Sequence, residues 1–291
     1  MNHPLPRRLT TLLLCALFLC AVFSGCAKQE AGLQGGALFS WKQSAVLTES
    51  EMLFSLMRET GLETLYQRFP DSLPDEEIDR FMKSAADCGV AVYLLAGEPE
   101  WALDVSGKPL CDAVERAVAI NAGLDGRRLQ GLVLDVEPYL LDQWDEASAP
   151  VILDGFLQGA RSAYARASAA GLTLILCIPY YYDTLELTPQ LTDLIQSCCD
   201  GVAVMNYYRG KEAEHIETEV RLAAQYGKRL IQIYELQQPG IHGLTDQNTY
   251  YHLGLAAVEE NFRALELACP ELPLTAALHD FEALKAVMAH E

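Results

Sequence analysis

Short apolar runs alternate with longer amphipathic stretches along most of this chain, and the alternation predicts its architecture. Eight runs have the length and composition of buried strands: Ala37–Trp41, Glu63–Phe69, Val90–Ala96, Leu129–Glu137, Leu172–Tyr180, Gly201–Tyr207, Arg229–Tyr234 and Leu272–His279. Eight strand-then-helix units in about 250 residues are the count of a (β/α)8 barrel. We therefore predict a single α/β domain, a TIM barrel over residues 37–291. A doubly wound open sheet is the alternative, but it more often has fewer strands and a phosphate-binding loop.

Residues that start and stop helices fall between these runs. Thr48–Glu51 has the pattern of a capping box, and Pro74 precedes three acidic residues, as at a helix start. Gly89, Gly171 and Gly227 lie where helices should end before the third, fifth and seventh strands. These signals support the strand-then-helix order.

The fourth run, Leu129–Glu137, ends in two acidic residues and is stopped by a proline. Alternate side chains of a strand share a face, so Asp135 and Glu137 should be neighbours on the face of Val133. Two adjacent carboxylates resist joint ionisation, and the one in drier surroundings becomes a proton donor near neutral pH. A solvated strand end with ordinary surface acids is the alternative. We favour catalysis because the preceding run is too apolar for an edge strand.

Aromatic and hydrogen-bonding residues crowd the carboxyl ends of the other runs, where barrels of this type place their reacting groups. Aromatic faces stack on the apolar faces of sugar rings, while acids and amides bond the hydroxyls. Carbohydrate is therefore the expected ligand. The candidate sugar contacts are Trp41, Gln67, Trp101, Tyr180, Asn206, Tyr208, Glu235 and His279.

The N-terminus predicts export. A pair of arginines precedes the apolar run Leu12–Phe23, which is too short to span a bilayer and fits a secretory signal. The following Ser-Gly-Cys resembles a bacterial lipobox, so we predict a signal peptide over 1–25, lipidation of Cys26 and a flexible tether over 26–36. Ordinary signal cleavage is the alternative. We expect an extracytoplasmic protein attached to the bacterial cell membrane only by this N-terminal lipid anchor.

Composition and charge exclude several classes of binding partner and cofactor. The formal net charge is −19, and loss of the two signal arginines makes it −21, which argues against nucleic acid and suits a neutral or cationic substrate. The cysteines lack paired zinc spacing, the histidines are scattered, and no glycine-rich phosphate loop is present. We expect no metal, no cofactor and a monomer. The remaining cysteines are expected to be buried free thiols: Cys88, Cys111, Cys177, Cys198, Cys199 and Cys269.

The fourth run resembles the signature of glycoside hydrolase family 18, which contains chitinases and endo-N-acetylglucosaminidases and has the pattern D-x-x-D-x-D-x-E. The matching window here begins at Gln130 and continues through Val133, so only Asp135 and Glu137 of the four acids are present. The sixth run is similar to the family's M-x-Y-D element. Met205 and Tyr207 are in place there, with Tyr208 at the aspartate position.

This resemblance implies a mechanism. Glu137 would be the general acid, Asp135 would orient and stabilise the 2-acetamido group of the substrate, and Tyr207 would bond the oxygen of that group. The acetamido oxygen itself would be the nucleophile, an exception to the usual two-carboxylate scheme. The resemblance therefore implies a retaining hydrolase of β-linked N-acetylhexosamine glycans. The family usually places a tryptophan under the sugar at the eighth strand, where this chain has His279.

Two other functions remain open. Glu137 at the end of the fourth run and Glu235 after the seventh resemble the acid/base and the nucleophile of a large clan of retaining glycosidases. Strand alternation argues against this scheme, because Ile231 and Ile233 share a face with Glu235 and should pack outward on helices, which leaves Gln232 and Tyr234 to point into the barrel. The other possibility is a non-catalytic glycan-binding surface lipoprotein on a hydrolase-like barrel, since fold does not fix function.

Overall fold

The computed structural model describes residues 33–290, in which eight parallel strands close into a barrel. Each strand pairs with the next along the chain, and β8 pairs with β1. The strands are β1 (Gly36–Ser40), β2 (Leu62–Gln67), β3 (Ala91–Ala96), β4 (Gly131–Leu134), β5 (Thr173–Pro179), β6 (Gly201–Met205), β7 (Arg229–Glu235) and β8 (Leu274–His279). The predicted eight-stranded TIM barrel is confirmed. The predicted signal peptide and Cys26 lie outside the described residues.

Helices cover the outside of the barrel between successive strands. They are α1 (Ser44–Leu47), α2 (Ser50–Thr60), α3 (Asp75–Asp87), α4 (Lys108–Gly123), α5 (Ala149–Ala169), α6 (Thr188–Ser197), α7 (Glu212–His215), α8 (Glu217–Tyr226), α9 (Gly254–Ala268) and α10 (Phe281–Met288). No helix within residues 33–290 is both long and apolar enough to cross a membrane.

Most of the predicted helix boundaries are confirmed. Pro74 precedes the first turn of α3, and Gly89, Gly171 and Gly227 follow helices with the positive φ angles that glycine adopts readily. The capping box at Thr48–Glu51 is wrong. The hydroxyl of Thr48 donates to a carbonyl of α1 instead, and α2 begins without a side-chain cap.

The apolar core forms two layers, one inside the barrel and one between the barrel and its helices. The inner cluster includes Phe39, Tyr66, Val133, Ile175 and Cys177. In β4 the neighbours of Val133 belong to the outer layer and are fully buried, so this strand is apolar on both faces. Burial of each such side chain is worth about 1.5–3 kcal/mol, which fixes the direction in which the end of β4 points.

The predicted orientation of β7 is wrong. Ile231 and Ile233 belong to the inner cluster, whereas Tyr234 points outward and donates its hydroxyl to the side chain of Asn261. Gln232 is also outside, where it accepts a hydrogen bond from a neighbouring asparagine. The prediction failed because both faces of β7 are buried, so hydrophobicity does not separate them. Branched residues fill the barrel interior, and amphipathic side chains find hydrogen-bond partners under the helices.

Candidate functional site

The two acids of the fourth run lie at the carboxyl mouth of the barrel. Strand β4 ends at Leu134, but the amide of Asp135 still donates to Ala96 O at 2.8 Å, which extends the pairing by one residue. A side chain at Gly97 would come within 2.0 Å of the carbonyl of Asp135, so the β3 loop can approach the acids this closely only with glycine there. A 3-10 turn, Pro138–Leu140, then redirects the chain.

Asp135 is held in surroundings that favour its neutral form. Its Oδ1 is shielded from solvent and has no hydrogen-bond partner in the described part of the chain. Burial, followed by the charge of Glu137, raises the pKa of Asp135 to about 7. Cys177 is its neighbour on β5, since Leu134 pairs with Leu176, and burial raises the pKa of that thiol well above its usual range. Asp135 therefore shares its pocket with a neutral thiol and exchanges its proton near neutral pH.

Glu137 is oriented by a residue that the sequence analysis missed. The hydroxyl of Tyr139 donates to Glu137 Oε2 and lies 3.6 Å from the sulfur of Met205. Burial and the adjacent Glu137 raise the pKa of Tyr139, so its hydroxyl remains a neutral donor. The signal was present in the sequence, because a tyrosine two residues after the candidate acid can return to the same side of a tight turn.

Glu235 lies on the opposite side of the mouth, and its carboxylate is fully engaged. Glu235 Oε2 lies 3.0 Å from Nδ1 of His279, and Oε1 accepts from the amide of Gln237 at 2.7 Å. Trp41 Nε1 donates to Nε2 of His279 at 3.2 Å, which completes a chain across the mouth. Only 3% of the Glu235 side chain is exposed. Three of the predicted sugar contacts are thus bound to one another.

His279 is the titrating member of this chain. Burial opposes a charge on its ring, but the hydrogen bond and charge of Glu235 outweigh burial and raise the pKa of His279 to about 9. The bond from Trp41 requires a lone pair on Nε2, so it belongs to the neutral ring with its proton on Nδ1. When His279 is protonated, its Nε2 can no longer accept the hydrogen bond from Trp41, but its positive charge strengthens the interaction with Glu235.

Tyr207 lies close enough to both acidic groups to be affected by their charges. It follows β6, packs against the inner cluster, and its ring centroid is 6.4 Å from that of His279. Its backbone carbonyl accepts a hydrogen bond of 2.7 Å from Asn248, which fixes the loop. Burial, then the charges of Glu235 and Asp135, raise the pKa of Tyr207 well above its usual range. Its hydroxyl is therefore a neutral donor.

A cavity of about 270 Å³ opens beside these groups. Aromatic rings dominate its wall: Tyr139, Tyr180, Tyr181 and Tyr207. The ring of Tyr180 stacks on His215 with centroids 4.2 Å apart, and Tyr208 meets the same histidine edge-on at 5.9 Å. Two predicted sugar contacts thus lie on one aromatic platform next to the cavity.

The remaining candidates lie elsewhere. Gln67 is buried and donates to the backbone carbonyl of Arg68 at 2.8 Å, and Asn206 is buried and donates to the carbonyl of Glu212 at 2.9 Å. Both amides therefore brace loops. Trp101 lines a separate cavity outside the barrel mouth. Within residues 33–290 no group of three or more histidine, cysteine or acidic side chains is placed to hold a metal ion.

Comparison with known proteins supports the fold. No protein-family model matches this chain, and no curated protein matches its sequence. A chitinase from Chromobacterium violaceum ATCC 12472 is similar in structure, with 12% identity, a TM-score of 0.51, and coverage of 88% of this chain and 100% of that one. A candidate α-L-fucosidase from Bacteroides thetaiotaomicron VPI-5482 has 10% identity and a TM-score of 0.59, covering 90% and 92%.

A third similar structure is the C-terminal domain of a candidate chitinase from Desulfitobacterium hafniense DCB-2. It has 11% identity and a TM-score of 0.52, covering 70% of this chain and 67% of that one. At such identities the likeness concerns the fold alone. The chain has the barrel architecture that these proteins also use.

Proposed function

We propose that this protein is a glycoside hydrolase that cleaves β-linked N-acetylhexosamine glycans with retention, using the acetamido oxygen of the substrate as nucleophile. The observation that carries the proposal is the pair at the end of β4. Asp135 exchanges its proton near neutral pH beside Glu137, and the neutral hydroxyl of Tyr207 lies in the same electrostatic cluster. Paired carboxyl groups with separated roles are the recurring feature of glycoside hydrolysis.

Each residue has a defined task in this reaction. Glu137 gives a proton to the leaving oxygen and later takes one from the attacking water. Tyr207 donates a hydrogen bond to the acetamido oxygen and so aims it at the anomeric carbon. Asp135, once ionised, attracts the acetamido N–H and stabilises the positive charge that develops on the ring formed by the attack.

The eighth strand fits this scheme in a modified form. His279 replaces the tryptophan that the resembled family has under the sugar, and Trp41 lies against His279 from the end of β1. The indole of Trp41 is partly exposed and packs on the inner cluster, so it supplies an apolar surface at the same mouth.

The first test is fluorophore release from N-acetylglucosaminyl and chitobiosyl reporter glycosides by protein lacking residues 1–26. We expect release by the wild type, none by Glu137→Gln, and unchanged release by Glu260→Gln, an exposed glutamate on α9. A Glu137→Gln variant with the wild-type rate would overturn the mechanism. The Glu235→Gln variant distinguishes this mechanism from the two-glutamate scheme. That scheme requires covalent attack by the carboxylate of Glu235, which is nearly inaccessible here.

Absence of release from both wild type and variant would favour the glycan-binding lipoprotein. Calorimetric titration of chito-oligosaccharides against the wild type and Glu137→Gln tells the two apart when it is combined with the release assay: binding by Glu137→Gln with cleavage by the wild type alone indicates a hydrolase, and binding without cleavage by either indicates the glycan-binding protein.

We further propose that the protein acts outside the cytoplasm, attached by a lipid on Cys26. The sequence that supports this is the apolar segment followed by Ser-Gly-Cys. Metabolic labelling with a clickable fatty acid should mark the wild type and leave Cys26→Ala unlabelled, and labelling of both would contradict the anchor.

A further inference from the structure

The loop that follows β7 brings a histidine to the cavity of about 270 Å³ beside the acid pair. Four residues of this loop line the cavity, together with tyrosines from the segments after β4, β5 and β6: His242, Gly243, Leu244 and Asn248. The sequence analysis did not single out His242, and no step of the proposed reaction requires it. The position of its side chain therefore needs another explanation.

The imidazole of His242 is free to bind a ligand. The side chain is exposed, and it has no hydrogen bond or ring contact with another residue in the range 33–290. Asn248, the other polar residue that the loop contributes to the wall, is fully engaged. Its amide nitrogen donates to Tyr207 O at 2.7 Å, and its Oδ1 accepts from the hydroxyl of Thr245 at 2.6 Å. Of these two side chains, His242 is thus the one whose hydrogen-bonding atoms remain available.

The backbone of His242 has a conformation that suits glycine better. Its φ angle is 49°, and positive φ is uncommon for residues other than glycine. Gly240 and Gly243 have φ angles of 95° and 77°, so the same turn uses glycine at its other left-handed positions. A side chain held in this conformation costs stability, and such residues cluster at ligand-binding sites. Glycine at position 242 would complete the turn at lower cost, which indicates that the imidazole serves the cavity.

Hydrogen bonds fix the place of His242 relative to the site. The amide of Gly240 donates at 2.7 Å to a carbonyl on the far side of the turn. Farther along the loop, Gln247 Nε2 donates to Arg209 O at 2.6 Å, and the amide of Arg209 donates to Gln247 O at 3.0 Å. These bonds tie the loop to the segment that carries Tyr207. A braced loop loses little conformational freedom when it binds a ligand.

We propose that His242 binds the hydroxyl groups of a sugar unit in this cavity and thereby helps to select the glycan. The tyrosine rings of the wall receive the faces of the sugar, and the imidazole bonds the hydroxyls at its edge, since a neutral imidazole has one donor and one acceptor nitrogen. An uncharged sugar also agrees with the net charge of −19, which disfavours anions.

This inference rests on the proposed function in taking the ligand to be a glycan. It adds a specificity contact that takes no part in bond cleavage. Loss of the imidazole should therefore raise KM and leave kcat nearly unchanged.

The test is calorimetric titration of full-length protein carrying Glu137→Gln with chitotetraose and cellotetraose, which differ in the acetamido group. His242→Gly should lower the affinity for the bound tetrasaccharide about three- to tenfold, the effect of one lost hydrogen bond, while Tm stays the same or rises. His242→Asn tolerates the backbone conformation and keeps a donor and an acceptor, so it should retain part of the affinity. Unchanged affinity in His242→Gly, or binding of neither tetrasaccharide, would overturn the proposal.

Glu186→Gly is the matched control. Glu186 is the other non-glycine residue within 33–290 that has a positive φ, of 60°; it is exposed and does not line the cavity. The control should change Tm in the same direction as His242→Gly and keep the full affinity. Equal losses of affinity in the two variants would assign the effect to backbone freedom and contradict the imidazole contact.

Nuclear magnetic resonance of the histidine rings locates the contact directly. The ring signals of His242, assigned by their absence in His242→Asn, should shift when the tetrasaccharide is added. The signals of His252, which lines a different cavity, should not shift. Unmoved His242 signals at saturation would overturn the proposal.

These measurements separate this inference from the hydrolase proposal. Cleavage of chitobiosyl reporters with the same KM in wild type and His242→Gly would refute this inference alone. Tetrasaccharide binding that weakens in His242→Gly, with no reporter cleaved by the wild type, would refute hydrolysis alone.

Discussion

The ends of β4 and β7 both bring a carboxyl group to the barrel mouth, but in opposite conditions. Asp135 has an oxygen without a hydrogen-bond partner among the described residues and a pKa raised to about 7. Glu235 has partners on both oxygens, from His279 and the amide of Gln237. The two groups thus occupy one mouth but differ in hydrogen bonding: Glu235 is buried with both oxygens bonded, whereas Asp135 is half-buried with one shielded oxygen that has no partner.

This difference separates reactivity from support. A buried acid whose two oxygens both accept hydrogen bonds has a structural role, because those bonds hold its neighbours in place. A buried acid with an unmet oxygen is costly in the free protein and gains its partner only when substrate arrives. We therefore assign a role in the reaction to Asp135 at the end of β4 and a structural role to Glu235 at the end of β7.

After Glu137→Gln, which should abolish turnover, Asp135→Asn should have the largest effect on activity. Asp135→Asn keeps the shape but removes the negative charge that stabilises the ring formed by the attack, so we expect kcat to fall by about 10²–10³-fold, the range of one lost electrostatic contact. Thermal unfolding should be unchanged or slightly raised, because an isolated buried charge is removed. Reporter release and scanning calorimetry check both, and a large loss of stability would contradict the assignment.

Replacing Glu235 at the end of β7 should lower the stability of the protein. Glu235→Ala leaves the ring N–H of His279 and the amide of Gln237 without an acceptor, at a cost of about 3 kcal/mol in the free energy of unfolding. Urea denaturation measures this loss, and Glu235→Gln, which keeps one acceptor, should lose less. A stable Glu235→Ala variant would mean that the chain from Trp41 to Glu235 is not structural.

The pH dependence of stability should separate the two ends. The folded pKa of Asp135, about 7, exceeds its ordinary value of 3.8, so the folded state binds more protons and this contribution to stability falls as pH rises between those values. His279 has a folded pKa of about 9 against 6.5, so its contribution is complete below 6.5 and lost as pH rises through 9. Asp135→Asn should flatten mainly the lower window, and His279→Gln mainly the upper one, in urea titrations across pH.

The smallest effect is expected from Tyr139→Phe. Loss of the hydroxyl that bonds Glu137 should lower kcat by about tenfold, with KM nearly unchanged, because the carboxyl is less well aimed while the ring still packs. Steady-state kinetics test this, and Tyr164→Phe, which removes a hydroxyl bonded to Asp200 on the outside of the barrel, is the matched control. Equal losses in both variants would show that Tyr139 has no special role.

The fold was readable from the sequence because strand runs, proline starts and glycine stops agree with one another. The neighbouring positions of Asp135 and Glu137 were readable too, since strand alternation needs no tertiary information. The orientation of β7 was not, because Ile233 and Tyr234 are both buried and only closure of the barrel decides which one fills its interior.

The partners of the site residues were less predictable still. Gln67 ends β2 and Asn206 follows β6 just before Tyr207, yet their amides bond nearby backbone carbonyls and do not reach the mouth. The partnership of Trp41, His279 and Glu235 joins the ends of three strands, β1, β8 and β7. Such contacts depend on the closed ring, which brings together residues more than 200 positions apart.

The chain enters the barrel at Gly36, at the amino end of β1, whereas Asp135 and Glu137 lie at the carboxyl ends of the strands. The described chain thus arrives at one pole of the barrel, and the proposed site lies at the other. With a lipid on Cys26, as proposed, the mouth would face away from the bilayer, toward polymers outside the cell and not toward membrane lipids. Accessibility of the mouth to a bulky glycan on intact cells would then equal that in detergent extracts.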